Sequence, residues 1–169
     1  MRHLVKEIVD QLIAVVAEEA EHCERTLNLL RQQQRRLIEG DTQHIENNVR
    51  QQETAIRRSR ELEKRRLALL ERLAATREFG GETPDMERLI TTLSDDYGRR
   101  LTQLRESLAD AIRRIAKVKQ QNTMLIERSL SNIGETVRLL ATLPAAGSPV
   151  VDASGRHLRP APVSVDRIG

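Results

Sequence analysis

Apolar residues recur at steps of three and four at the start of the chain: Leu4, Ile8, Leu12, Val16, Ala20, Cys23, Leu27, Leu30 and Leu37. This is the spacing of a coiled-coil seam and predicts an amphipathic helix over about residues 2–38. The pattern stops at Glu39-Gly40-Asp41, where Gly40 suits the position just past a helix end and Asp41 or Thr42 can cap the next helix. A second helix, predicted over 42–77, carries Ile45, Val49, Ile56, Leu62, Leu69 and Leu73 on its inner face. So short a connection makes the two helices antiparallel neighbours. The stretch EFGGETPD, 78–85, breaks the period, and Thr83-Pro84 restarts it with Thr as cap and Pro in the first helical position. A third helix is then predicted over 84–143, with an interruption near 94–98. The expected fold is all-α, an elongated antiparallel helical bundle or coiled coil of three main helices over residues 1–143. Residues 144–169 hold four of the five prolines and no periodicity, and read as a flexible tail.

The third helix raises a question of its own. At ~1.5 Å per residue the first two helices are each about 50 to 55 Å long, whereas 84–143 reaches about 90 Å if unbroken. Between Leu101 and Ile115 the residues Leu101, Leu104, Leu108, Ala111, Ile112 and Ile115 fit a stripe of about 100°, enough to face one core. After Val118 the apolar residues Leu125, Ile126, Leu130, Ile133, Val137, Leu139, Leu140 and Leu143 spread over roughly half the circumference. A polar column of Asn122, Ser129 and Thr136 runs along this face at heptad spacing. Two uses fit it. Both halves are buried within the protein or a dimer, with the polar column setting register, or the face receives an amphipathic helix from a partner.

Composition narrows the chemistry. The 169 residues include one Phe, one Tyr and no Trp, against 31% charged residues, which suits long helices whose aliphatic seams do the burying. The 28 Lys and Arg against 25 Asp and Glu are interspersed, which argues against a dedicated polyanion binder. RRSRELEKRR, Arg57 to Arg66, is the best nucleic-acid candidate, but Glu61 and Glu63 interrupt it and stacking aromatics are lacking. It reads as a solvated face whose Glu and Arg residues pair at i and i+4. His3, His22, His44 and His157 are scattered, Cys23 fits the seam as a small filler, and Gly80-Gly81 is a connection rather than a phosphate loop. No enzyme, metal site or cofactor is expected. No run approaches the ~18 apolar residues of a membrane span, and the lone Cys23 suits a reducing compartment. A cytoplasmic protein without membrane insertion is expected.

With these elements in order, the chain resembles the FlgN family of flagellar export chaperones over about residues 4 to 156. The resemblance rests on the early leucine seam, RQQQRRLIEGD at Arg31 to Asp41, ELEKRRLALLERL at Glu61 to Leu73 and QQNTMLIERSL at Gln120 to Leu130. It implies an all-helical cytoplasmic chaperone that binds the C-terminal helical segments of hook-filament junction proteins and delivers them to the type III export apparatus. The client-binding residues it implies are Asn122, Leu125, Ile126, Ser129, Leu130, Ile133, Val137 and Leu140, on the wide face described above. It also implies a contact with the export gate or export ATPase complex after the last helix. There the family often has a Tyr ahead of a turn and Gly, whereas this chain has VVDASGR with Val150, Val151 and Gly155, the valine at 151 lacking both ring and hydroxyl. A homodimer of the client-free chain is compatible with the wide face. The alternatives are a stalk-like coiled coil of the export machinery and a self-associating scaffold.

Overall fold

The computed structural model describes residues 3–93 and 95–143. The chain divides into two compact units, Met1–Glu127 and Arg128–Gly169. Four helices hold most of the described residues: α1 His3–Glu39, α2 Thr42–Ala74, α3 Met86–Thr92 and α4 Asp95–Thr142. The fold is all-α, as the periodicity predicts.

The α1–α2 turn forms as its residues dictate. Gly40 takes a left-handed φ of 70°, the Gly40 N–H reaches the Leu37 carbonyl and the Asp41 N–H reaches that of Arg36. These bonds satisfy carbonyls that the helix end leaves free. Asp41 then caps α2, its carboxylate accepting from the His44 N–H, and Arg36 pairs with the same carboxylate at 2.9 Å. Across the hairpin the His22 imidazole bonds the Ala55 carbonyl and the Asn48 amide donates to the Leu29 carbonyl, so the helices run antiparallel. Arg114 pairs with Glu24 and Asn122 with Leu30, so α4 runs parallel to α1.

The main core lies at the base of the first unit. Val5, Ile8, Val9, Leu12, Ile13, Val15 and Val16 of α1 pack with Leu69, Leu70 and Leu73 of α2, and with Phe79, Leu89, Leu93 and Leu101. More of α1 is buried here than one seam requires, because α2, the following loop, α3 and the start of α4 all converge on it. The seam residue Leu4 stays exposed.

Several expected boundaries move, each for a local reason. The second helix stops at Ala74 rather than 77. The Thr76 hydroxyl bonds the Leu73 carbonyl, the Gly81 N–H closes onto the Ala74 carbonyl, and Phe79 is drawn into the core. The cap ahead of α3 is Asp85, not Thr83: its carboxylate accepts from the Arg88 N–H at 2.7 Å while Pro84 is buried. The third predicted helix is two helices, divided at Leu93, whose extended backbone (φ −82°, ψ 159°) turns its side chain into the core. Gly98 lies inside α4, beyond that break. On α2, Val49 and Ile56 are exposed and Asn48 is buried in their place, so the inner face follows the amide rather than the branched residues. Ile112 is likewise exposed. The basic run does not pair at i and i+4. Arg58 bonds Glu61 at i+3, and Arg58, Arg65 and Arg66 reach across to Glu18 and Glu19 of α1.

Two predictions follow from this packing. A Cβ on Gly98 would stand 2.9 Å from the Ile90 carbonyl oxygen, so α3 approaches α4 only because that position has no side chain. Alanine is the better helix former by about 1 kcal/mol, but the backbone clash is expected to win. Gly98→Ala should lower stability in urea denaturation by about 1–3 kcal/mol. The second concerns Glu18, whose carboxyl is held below its ordinary value of 4.5, chiefly by the hydrogen bond from Arg58. Such a group stabilises the fold above its unfolded pKa and loses that contribution as pH falls through the lowered folded value. Over a series between about pH 3 and 6, wild-type stability should therefore fall more steeply than that of Glu18→Gln below about pH 4.5.

Candidate functional site

The heptad register of α4 locates a surface that the bundle does not use. Leu101, Leu104, Leu108, Ala111, Ile115, Val118, Asn122 and Leu125 follow one another at steps of three and four, and all are buried or half-buried. The same register continues through Ser129, Asn132 and Thr136, which are polar and exposed. The apolar residues meanwhile move one position along, to Ile126, Leu130, Ile133, Val137 and Leu140. One residue turns a helix face by about 100°, so this second row is not the packing seam carried further.

All five of these residues are exposed, Leu130 by 63% and Ile133 by 57%. Met124, Leu139 and Leu143 are exposed as well. Isolated apolar residues on a surface mean little, but a contiguous row of this kind marks an interaction site. Gly134 has open space where a Cβ would stand, and Ser129 and Ala141 are small, so another backbone can come close. By helical period the charged residues Glu127, Arg128, Glu135 and Arg138 fall on the other side.

The expected client-binding residues separate into three groups. Ile126, Leu130, Ile133, Val137 and Leu140 form the exposed row, with Ser129 beside it. Leu125 is half-buried, at the end of the seam. Asn122 is only 2% exposed: its amide donates to the Leu30 carbonyl at 2.9 Å and to Gln33 Oε1 at 3.0 Å. It is a contact between α4 and α1, not part of the open surface. Thr136 returns its hydroxyl to the Asn132 carbonyl of its own helix. Val150, Val151 and Gly155 lie outside the described residues. Leu139 and Leu143 are exposed as well, but by helical period they continue the seam register rather than the second row.

Other concave regions are less suited to a ligand. A groove of about 640 Å³ between α1 and α2 is flanked by Arg25, Arg50 and Arg58, each paired with a glutamate. No group of three or more His, Cys, Asp or Glu residues could hold a metal ion among the described residues. No helix among them is long and apolar enough to cross a membrane.

A family model described as FlgN protein matches residues 1–148, a span that takes in all four helices. The chain belongs to the FlgN family. Members of that family are chaperones of flagellar export rather than enzymes, and they bind flagellar substrate proteins. No curated protein and no solved structure matches the chain. The FlgN assignment gives the exposed row a context: a chaperone needs an apolar surface that its own fold leaves open.

Because Leu130 and Ile133 are mostly exposed, replacing either should leave the fold intact. Leu130→Asp or Ile133→Asp should each change unfolding free energy by about 0.5 kcal/mol or less. By contrast Leu27→Ala, at a fully buried position, should cost about 2–5 kcal/mol. Urea denaturation followed by circular dichroism compares the three.

Proposed function

We propose that this FlgN-family chain works in the cytoplasm, where it captures the C-terminal helical segments of hook-filament junction proteins on the end of α4. It keeps those segments from associating early and brings them to the type III export apparatus. The observation that carries this reading is the exposed row Ile126, Leu130, Ile133, Val137 and Leu140, set one register position away from the residues that hold α4 to its own bundle. Anchors at this spacing fit an amphipathic helix, which buries its apolar face against them. Such burial hides the segment through which a junction protein would otherwise self-associate.

Asn122, buried against α1, is left out of the proposed surface, and Leu125 borders it. The contact with the export gate or ATPase complex at Val150, Val151 and Gly155 rests on the family resemblance alone. In the absence of client, the same row is available to a second copy of the chain, so client and homodimer would compete for it.

The test is calorimetric titration of the full chain with a peptide spanning the C-terminal helix of a junction protein. Saturable one-to-one binding with a negative heat-capacity change is expected. Leu130→Asp combined with Ile133→Asp should weaken it by about 100-fold or more, with the circular dichroism of the free protein unchanged. Normal binding by the double variant would move the client to another surface. No binding by the wild type, together with a dimer that persists on dilution, would favour a self-associating coiled coil.

A further inference from the structure

The two halves of the first unit are held by different chemistry. At the base, aliphatic residues of α1 and α2 meet Phe79, Leu89, Leu93 and Leu101 in one continuous core. Toward the α1–α2 turn the apolar contact shrinks to Leu27, Leu30 and Val118, with Ile115 against them. Among the described residues the buried polar side chains His22, Gln33, Asn48 and Asn122 lie away from the base core. On α4, the attachment to α1 is the Asn122 amide on Leu30 and Gln33, the Gln34–Gln121 bond at 3.0 Å, and the Arg114–Glu24 pair. Side-chain hydrogen bonds of this kind contribute modestly once exchange with water is counted.

Two further observations mark this attachment as weak. Asn122 Oδ1 is buried without a partner, while its amide nitrogen serves the Leu30 carbonyl and Gln33 Oε1. Burying an acceptor this way disfavours the closed state relative to one in which water reaches it. Asn122 also occupies an inward heptad position, where a buried amide fixes register at a cost in stability.

We propose that the 114–125 stretch of α4, clasped to α1 through Asn122, opens as a unit of its own while the base of the bundle stays folded. Opening uncovers Leu27, Leu30, Ile115 and Val118, so apolar surface additional to the exposed row becomes available transiently. This inference needs no bound partner, and it stands or falls separately from the chaperone reading.

Native-state thiol labelling of the full chain tests it. In a Cys23→Ala background, Val118→Cys reports the clasped half and Leu101→Cys the base, with Leu30→Cys viewing the same seam from α1. Circular dichroism first establishes that each variant is folded. Val118→Cys and Leu30→Cys should react with a disulfide reagent about 100-fold faster than Leu101→Cys, the mark of sub-global opening. Adding Asn122→Leu should slow both about ten-fold, equivalent to about 1.4 kcal/mol, and leave Leu101→Cys unchanged. Equal rates at all three positions, with one urea dependence, would show a single cooperative unit and overturn the proposal. Labelling at 118 and 30 that ignores Asn122→Leu would overturn it too, since the clasp would not control access.

Discussion

The packing of Phe79, Leu89, Leu93 and Leu101 on the Val5–Val16 stretch of α1 is the constraint from which the rest of the arrangement follows. That stretch is buried on more sides than an amphipathic helix usually is, so three separate pieces of chain must return to it. Phe79 brings back the loop, the extended Leu93 ends α3 and points inward, and Gly98 lets α4 begin against the Ile90 carbonyl. Once Leu101 is fixed, so is the register of α4. Its inward positions then meet α1 up to Asn122, with Leu125 half-buried at the end of the seam.

From that base the interior changes in character. Aliphatic burial gives way to amides and an imidazole that bond main-chain carbonyls across the helices: His22 on Ala55, Asn48 on Leu29 and Asn122 on Leu30. Apolar packing is tolerant of direction, whereas these bonds are not, so the polar half specifies alignment more than it adds stability. The crossing ion pairs of Arg58, Arg65 and Arg66 with Glu18 and Glu19 lie at partly exposed positions and guide the same antiparallel pairing at small energetic effect.

Much of this was legible in the sequence because helical period and turn chemistry are local. The α1–α2 hairpin, Gly40 past the helix end and Asp41 as cap could be read from the residues alone, as could the widening of the apolar face after Val118. What escaped depends on partners distant in sequence. Val49 and Ile56 look inward by period, yet the carbonyl of Leu29 selects Asn48 instead. Asn122 looked like the head of a polar column whose burial the period left open. Its burial depends on Leu30 and Gln33, about ninety residues away, and no local rule foretells that. The interruption near 94–98 was legible too; that it begins at Leu93 depends on the core behind it, which favours an extended leucine over one more helical turn.

The exposed row contains no aromatic residue and no arginine. The single Phe lies in the core at 79 and the single Tyr at 97, packed against that core. Tight interfaces usually concentrate their energy in such side chains, whereas Ile126, Leu130, Ile133, Val137 and Leu140 distribute it over successive turns of one helix. A docked helix would thus have no dominant anchor. It could leave turn by turn, each step uncovering a small area, so residence time can be short even where the total contact is extensive.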